Sequence, residues 1–265
     1  MPESLAAQAS PGAAPAIAEL RLPAVWQRLV FISDLHLCEE LPRTGAAFES
    51  LLATVQADAL FILGDLFEYW VGDDMLAQPF EAHCANALRQ ATARLPIHVL
   101  RGNRDFLLGE RFFAATGCVD LADPTALRAS WGESLLVTHG DALCIADTAY
   151  QQFRAQVRQP AWQAALLARP LEERLALARQ MRAASRSGDR APESYADADP
   201  ALCCQWLEAV AARHLIHGHT HRPGRDRLPC DGWRDVLSDW ELDQPQPRAD
   251  MLIWSREGVQ RQSLV

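Results

Sequence analysis

Short apolar runs recur along the chain, and polar residues follow each of them. Uninterrupted apolar runs of this length are typical of β-strands that are covered on both faces. Five strands are predicted from short apolar runs, at 29–32, 59–63, 97–100, 135–137 and 215–217, of which the third contains His98 and the fifth ends in His217. Segments with the spacing of an amphipathic helix lie between them, at 44–56 and 79–94. This alternation predicts an α/β layered fold.

The pattern is different in three other parts of the chain. Residues 1–23 are rich in Ala, Pro and Ser, which predicts a disordered tail. From about 147–213, helical spacing without strand signals predicts a helical insertion, which prolines divide into short helices. Three apolar stretches near the C-terminus, at 235–240, 251–254 and 259–264, predict strands that complete a sheet. The prediction is one domain, 24–265, that carries the insertion.

Composition excludes some functions. The 25 basic and 34 acidic residues give a net charge of -9, which disfavours nucleic-acid binding by bulk attraction. The seven cysteines contain no Cys-x-x-Cys pair, so we expect reduced thiols in a cytosolic protein rather than a disulfide framework or a zinc site. No apolar run approaches the roughly 20 residues that span a bilayer. We therefore expect a soluble or peripheral protein, with no signal peptide.

Residues of the types that commonly bind metal ions follow the predicted strands. They are Asp34, His36, Asp65, Asn103, His139, His219 and His221. Ligands gather beyond strand ends in layered α/β folds, so these side chains should converge. Seven oxygen and imidazole donors are too many for one ion with an open position, but they suit two adjacent ions.

Asp65 is the natural bridge between the two ions, because a carboxylate offers two oxygens. One ion would take Asp34, His36, Asp65 and His221, and the other would take Asp65, Asn103, His139 and His219. Each residue alone has a plainer interpretation, since Asp and Asn commonly cap helices or form turns. Four histidines outside the motifs are predicted to be structural, namely His83, His98, His214 and His217.

The motifs Asp-x-His, Gly-Asp, Gly-Asn-x-Asp, a strand-end His and Gly-His-x-His occur in this order between 29 and 221. Together they resemble the calcineurin-like metallophosphoesterases. The resemblance implies a four-layer αββα sandwich with a helical lid. It also implies two metal ions, often Mn²⁺, holding a hydroxide that attacks phosphorus. The residues implied in catalysis are Asp65, Asn103, Arg104 and His219.

Arg104 is a departure from many members of this family, which carry a proton-donating His after Gly-Asn. Arginine cannot donate a proton at neutral pH, but it can clamp phosphate oxygens. We therefore expect a leaving group that needs no proton, such as the phosphate of a pyrophosphate. Four longer stretches, 33–37, 64–74, 102–109 and 216–223, resemble a branch that cleaves the pyrophosphate of an acylated UDP-sugar in lipid A biosynthesis. That branch is manganese-dependent and works on the cytoplasmic face of the inner membrane.

The same resemblance implies a set of substrate contacts, comprising Asn103, Arg104, Asp147, Ser185, Asp189 and His219. Agreement fails after Ser185, because Asp189 and Pro192 stand where the branch has Asn and Lys. Residues 151–190 contain eight arginines and three acids, which suits an anionic, acylated substrate and a membrane surface. The alternative is an ordinary amphipathic lid packed on its own core.

Other functions stay open at this point. A broader pyrophosphatase or phosphodiesterase of the same family would act on soluble nucleotides. A non-catalytic scaffold of this fold would be expected to have lost ligands, whereas all seven are present. A nuclease is disfavoured by the net charge, and no obligate protein partner is predicted.

Overall fold

The computed structural model describes residues 15–187 and 196–265. Its strands are β1 (Ala18–Arg21), β2 (Leu29–Ile32), β3 (Ala59–Leu63), β4 (Ile97–Leu100), β5 (Val119–Leu121), β6 (Thr125–Arg128), β7 (Ser134–Val137), β8 (His214–His217), β9 (Gly224–Arg227), β10 (Trp233–Val236), β11 (Asp250–Ser255) and β12 (Gly258–Ser263). Its helices are α1 (Pro42–Thr54), α2 (Pro79–Thr92), α3 (Glu110–Thr116), α4 (Thr148–Val157), α5 (Pro160–Leu167), α6 (Leu171–Ser187) and α7 (Pro200–Ala209).

The strands form two six-stranded mixed sheets. The first has the order β12-β11-β2-β3-β4-β5, and the second has the order β1-β6-β7-β8-β10-β9. Strands β2, β3, β4 and β5 are parallel, and so are β7, β8 and β10. Parallel strands end at one edge of their sheet, so the polar residues that follow them are brought close together.

Alternate side chains of β2 and β3 belong to different cores. Phe31 and Phe61 stack with ring centroids 5.1 Å apart and join the cluster that lies between the sheets, together with Ile216. Val30 and Ile62 join the cluster formed with the first helices. Burying one Phe side chain contributes about 2 to 3 kcal/mol, so the strand alternation stabilises both interfaces.

Helix α7 covers the outer face of the second sheet. Its residues Leu202, Trp206 and Leu207 are buried in one cluster with Leu136 and Leu215. The layers are therefore helix, sheet, sheet and helix, and the predicted αββα sandwich is confirmed. The predicted insertion reached 213, which is too far, because α7 is part of the sandwich and only α4 to α6 form the added unit.

The predicted disordered tail is wrong for its last part. Ala18–Arg21 forms β1 and pairs in parallel with β6. Only two of its four residues are partly buried. An alternation of this length is too short to be recognised in the sequence. Residues 1–14 lie outside the described part of the chain. Helix α3 and strands β5, β6 and β9 were not predicted either, since each is short.

Two further observations concern the composition-based predictions. Cys204 and Cys230 form a disulfide, so the prediction of seven reduced thiols is wrong for this pair. The pairing joins α7 to the turn before β10, a proximity that the sequence spacing does not reveal. None of the described helices combines the length and the apolar character that a bilayer-spanning helix needs.

His98 allows a test of this core. It is 6% exposed and stacks on Phe61 at 4.7 Å, and burial lowers its pKa to about 4. The unfolded chain takes up this proton near pH 6.5. The contribution of His98 to the free energy of unfolding should therefore be unchanged above pH 6.5, and that free energy should fall by up to roughly 3 kcal/mol towards pH 4.

The free energy of unfolding, measured in urea at pH 7.5 and at pH 4.5, should decrease less between these two pH values in His98→Phe than in wild type. The exposed control His83→Gln should behave as wild type, and an unchanged loss in His98→Phe would contradict the assignment.

Candidate metal centre

The structure brings all seven candidate ligands together beyond the strand ends. Asp34 and His36 follow β2, Asp65 follows β3, Asn103 follows β4, His139 follows β7, and His219 and His221 follow β8. The Nε2 atoms of His36 and His221 lie 3.2 Å apart. Asn103 Oδ1 lies 2.9 Å from His139 Nε2 and 2.8 Å from His219 Nδ1. The first sheet thus contributes four candidates and the second sheet three.

The backbone turns sharply at most of these residues. Among the described residues, seven non-glycine positions have positive φ, and five of them are candidate ligands. These are Asp34 (54°), His36 (50°), Asp65 (53°), His219 (65°) and His221 (52°). Left-handed backbone is unfavourable for side-chain-bearing residues and clusters at functional sites, where the surrounding structure holds it. The sheets supply that support here.

Two glycines allow the loops to approach each other. A Cβ on Gly102 would lie 2.1 Å from Asp65 Oδ1, and one on Gly218 would lie 2.1 Å from Asp34 Oδ2. The buried carboxylate of Asp105 joins the same loops, because it accepts the backbone N–H groups of Leu66 and Gly102 at 2.7 Å each. The Gly-Asp and Gly-Asn loops are thereby fixed side by side.

The electrostatics of the cluster fit bound cations. Burial raises the pKa of Asp65 to about 7, although the charges of His139 and Arg104 oppose this. Burial also acts to raise the pKa of Asp34, but the hydrogen bond and the charge of His221 outweigh it and lower that pKa. Buried carboxylates need compensating positive charge, and metal ions among imidazoles would supply it.

Among the described residues, two sets of donor atoms are close enough to share an ion. Asp34, His36 and His221 form one set and Asp34, Asp65 and His139 form the other, with the donor atoms of each set within 4.8 Å of one another. Asp34 thus takes part in both, whereas the sequence had assigned the central position to Asp65 alone. The division of ligands between two ions stays a prediction.

Arg104, the residue predicted to clamp phosphate, lies beside Asp65. Its Nε is 3.3 Å from Asp65 Oδ2, and its guanidinium donates to Glu68 Oε2 at 2.7 Å. Glu68 also accepts from Arg182 of α6 at 2.8 Å and lies 3.8 Å from His36 Nδ1. Glu68 therefore connects the metal centre, the expected phosphate clamp and the insertion.

Arginines of the insertion anchor it on the domain. Arg154 donates to Asp141 Oδ2 at 2.8 Å and Arg158 donates to the Gly102 carbonyl at 3.0 Å. Arg174 forms an ion pair with Asp74, and Arg182 pairs with Glu68. Among the six arginines of 151–190 whose side chains the structure describes, these four thus have partners on the domain. Whether the insertion serves a ligand or is an ordinary lid stays a prediction.

The remaining predicted substrate contacts have different positions. Asp147 is the N-cap of α4 and accepts the Tyr150 N–H at 3.1 Å, which is an ordinary capping role. Tyr150 lies 5.7 Å from the His219 ring, so α4 begins beside the centre. Ser185 lies in α6 where only the backbone is described, and Asp189 lies outside the described residues. Their contacts with substrate stay predictions.

Sequence reasoning missed three carboxylates that touch these residues. Asp105 lies in the motif stretch 102–109 and Glu68 lies in the stretch 64–74. These stretches do not reveal which residues the two carboxylates contact. Asp239 lies 3.3 Å from His221 Nδ1 and follows the last motif. No signal in the sequence pointed to it.

Gly218→Ala should weaken metal binding, because the added methyl group would displace the Asp34 carboxylate. We expect at least a 10-fold rise in the dissociation constant for the first ion, measured by titrating metal-stripped protein. The matched control is Gly45→Ala in α1, where a Cβ meets no atom within 4 Å. Gly45→Ala should keep wild-type affinity and stabilise the helix by about 0.5 to 1 kcal/mol. Wild-type affinity in Gly218→Ala would contradict the assigned geometry.

Comparison with known proteins agrees with this geometry. A family described as calcineurin-like phosphoesterase matches residues 27–223. A protein of Bordetella pertussis named UDP-2,3-diacylglucosamine hydrolase is 43% identical over 88% of this chain and 93% of its own length. Proteins of the same name are 44% identical in Ralstonia nicotianae, over 90% and 94%, and 47% identical in Chromobacterium violaceum, over 79% and 89%. The chain belongs to the calcineurin-like phosphoesterase family.

Proposed function

We propose that this enzyme hydrolyses the pyrophosphate of UDP-2,3-diacylglucosamine, giving UMP and 2,3-diacylglucosamine 1-phosphate for lipid A biosynthesis. The observation that carries the proposal is the identity of 43% to relatives named for this substrate, over nearly their whole length. The complete set of seven candidate ligands supports catalysis rather than a scaffold role. Arg104 supports a pyrophosphate, because its guanidinium binds phosphate oxygens and the departing phosphate needs no proton.

The metal centre is proposed to hold two manganese ions. Bound there, divalent ions would activate water and neutralise the negative charge on the oxygens of the phosphate being attacked. Asp34, Asp65, Asn103 and the four histidines of the centre would hold them, and the oxygen and nitrogen donors suit such ions. Arg104 would orient the pyrophosphate beside them. The α4 to α6 unit lies next to this position, where it would limit access of water and contact the acyl chains.

A peripheral position on the cytoplasmic face of the inner membrane is also proposed. The support is three exposed apolar side chains on or next to the insertion, Ile145 (47% exposed), Leu167 (44%) and Met181 (37%). Arg169 and Arg179 are also exposed, each two residues along the chain from Leu167 and Met181 respectively. Apolar anchors beside arginines suit an anionic bilayer surface.

Vesicle binding tests the membrane proposal. Wild type should co-sediment with phosphatidylethanolamine and phosphatidylglycerol vesicles, and Leu167→Ser combined with Met181→Ser should reduce the bound fraction several-fold. Val25→Ser is the control, since Val25 is 78% exposed but lies outside the insertion. Equal sedimentation of all three proteins would contradict a membrane-facing insertion.

The substrate proposal is tested by UMP release from metal-stripped protein with and without added Mn²⁺. UDP-2,3-diacylglucosamine is compared with UDP-N-acetylglucosamine, which lacks the acyl chains. We expect UMP release from the acylated substrate alone, and only when Mn²⁺ is added. We also expect two bound ions per chain. Equal cleavage of both would favour a broader nucleotide pyrophosphatase. Cleavage of neither, with metal bound, would favour a scaffold, and stronger activation by another ion would contradict the manganese assignment.

Arg104→Ala should lower turnover by on the order of 100-fold, because a charged donor to the phosphate is lost. Metal content should stay as in wild type, measured by elemental analysis of the same samples. Arg111→Ala is the control, since that arginine is exposed on α3. Loss of metal in Arg104→Ala would mean that the guanidinium holds Asp65 in place rather than the substrate.

A further inference from the structure

The two ring nitrogens of His221 face different surroundings. Nε2 points into the centre, 3.2 Å from His36 Nε2 and 3.5 Å from Asp34 Oδ1. Nδ1 points away from it and lies 3.3 Å from Asp239 Oδ2. A histidine that binds metal through one nitrogen commonly donates its other N–H to a carboxylate, which fixes the tautomer and the ring orientation.

Asp239 is itself firmly held. It is 2% exposed, and Arg248 donates to both of its carboxylate oxygens, at 2.8 Å to Oδ1 and 2.5 Å to Oδ2. The next residue, Trp240, donates its backbone N–H to the Asp34 carbonyl at 3.0 Å. The carboxylate therefore has a defined position relative to β2 and to the ring that it contacts.

Asp239 is also distant from the motifs of the family. The family match ends at residue 223, and Asp239 stands after β10, in the segment that leads to β11. The C-terminal strands thus do more than complete the first sheet, since the loop between β10 and β11 reaches back to the centre.

We propose that Asp239 is a positioning residue for the metal centre, which accepts the Nδ1–H of His221 and thereby directs Nε2 at the ion. Without it the imidazole could rotate or adopt the other tautomer, and the ion would lose one of its donors for part of the time. The expected effect is a metal affinity about 10- to 100-fold lower in Asp239→Asn, since an amide oxygen accepts more weakly than a carboxylate.

The test is a titration of the full-length, metal-stripped protein with Mn²⁺, in which electron paramagnetic resonance follows the free ion. Mn²⁺ and Co²⁺ are first compared on wild type, with Co²⁺ binding followed by its visible absorption, and the tighter-binding ion is used for the variants. Glu241→Gln is the matched control, because Glu241 contacts the same Arg248 at 3.2 Å and lies two residues away. Side-chain nitrogen NMR of the protein loaded with diamagnetic Zn²⁺ reports which His221 nitrogen carries the proton. Because the readout is metal affinity, the result does not depend on which phosphoester is cleaved.

Asp239→Asn should lose affinity, and its His221 signals should show a mixture of tautomers, while Glu241→Gln stays as wild type in both measurements. A second variant, Arg248→Gln, separates the histidine contact from a general loosening of the loop. It leaves the carboxylate beside His221, so its affinity should fall less than that of Asp239→Asn. Wild-type affinity in Asp239→Asn, or an equal loss in Arg248→Gln, would overturn the proposal.

Discussion

Two buried carboxylates at the ends of neighbouring parallel strands impose the main constraint on this structure. Asp34 and Asp65 are at most 1% exposed, and each sits at a left-handed turn. A buried carboxylate is costly unless donors and positive charge surround it. The backbone N–H of His219 donates to Asp34 and that of Arg104 donates to Asp65, and imidazoles lie beside both carboxylates. A bound divalent cation would supply the remaining positive charge.

The centre also depends on contact between the two sheets. The first sheet carries the candidate ligands from Asp34 to Asn103, and the second carries those from His139 to His221. The distance between these groups is determined by the core between the sheets, where Phe31 and Phe61 meet Ile216. Protein interiors of this kind are close-packed and deform little. The core therefore keeps the donor atoms at the short separations that metal binding needs.

The insertion is connected to the chemistry through charge. Glu68 pairs with Arg104 from the Gly-Asn loop and with Arg182 from α6, so one carboxylate contacts a guanidinium on each side. An anionic substrate bound at Arg104 would compete with Glu68 for that group. Glu68 therefore lies between the Gly-Asn loop and the insertion and contacts both.

The sequence alone predicted the strands that carry the centre and the residues at their ends. β2, β3 and β4 have the predicted limits, because short apolar runs bounded by polar residues are typical of strands that are covered on both faces. The resemblance to the family rested on the same strand-end motifs. These patterns involve residues that are close in the sequence, so they can be recognised without knowing the fold.

Only the tertiary structure decided which distant groups support those residues. The pairing of β1 with β6, the position of α7 in the sandwich, the disulfide of Cys204 and Cys230, and the contact of Asp239 with His221 all join segments far apart in the chain. The sequence does not show whether a carboxylate or an arginine contacts the insertion, a metal ligand or water. Its role depends on three-dimensional proximity, which packing of the two sheets determines and local pattern does not encode.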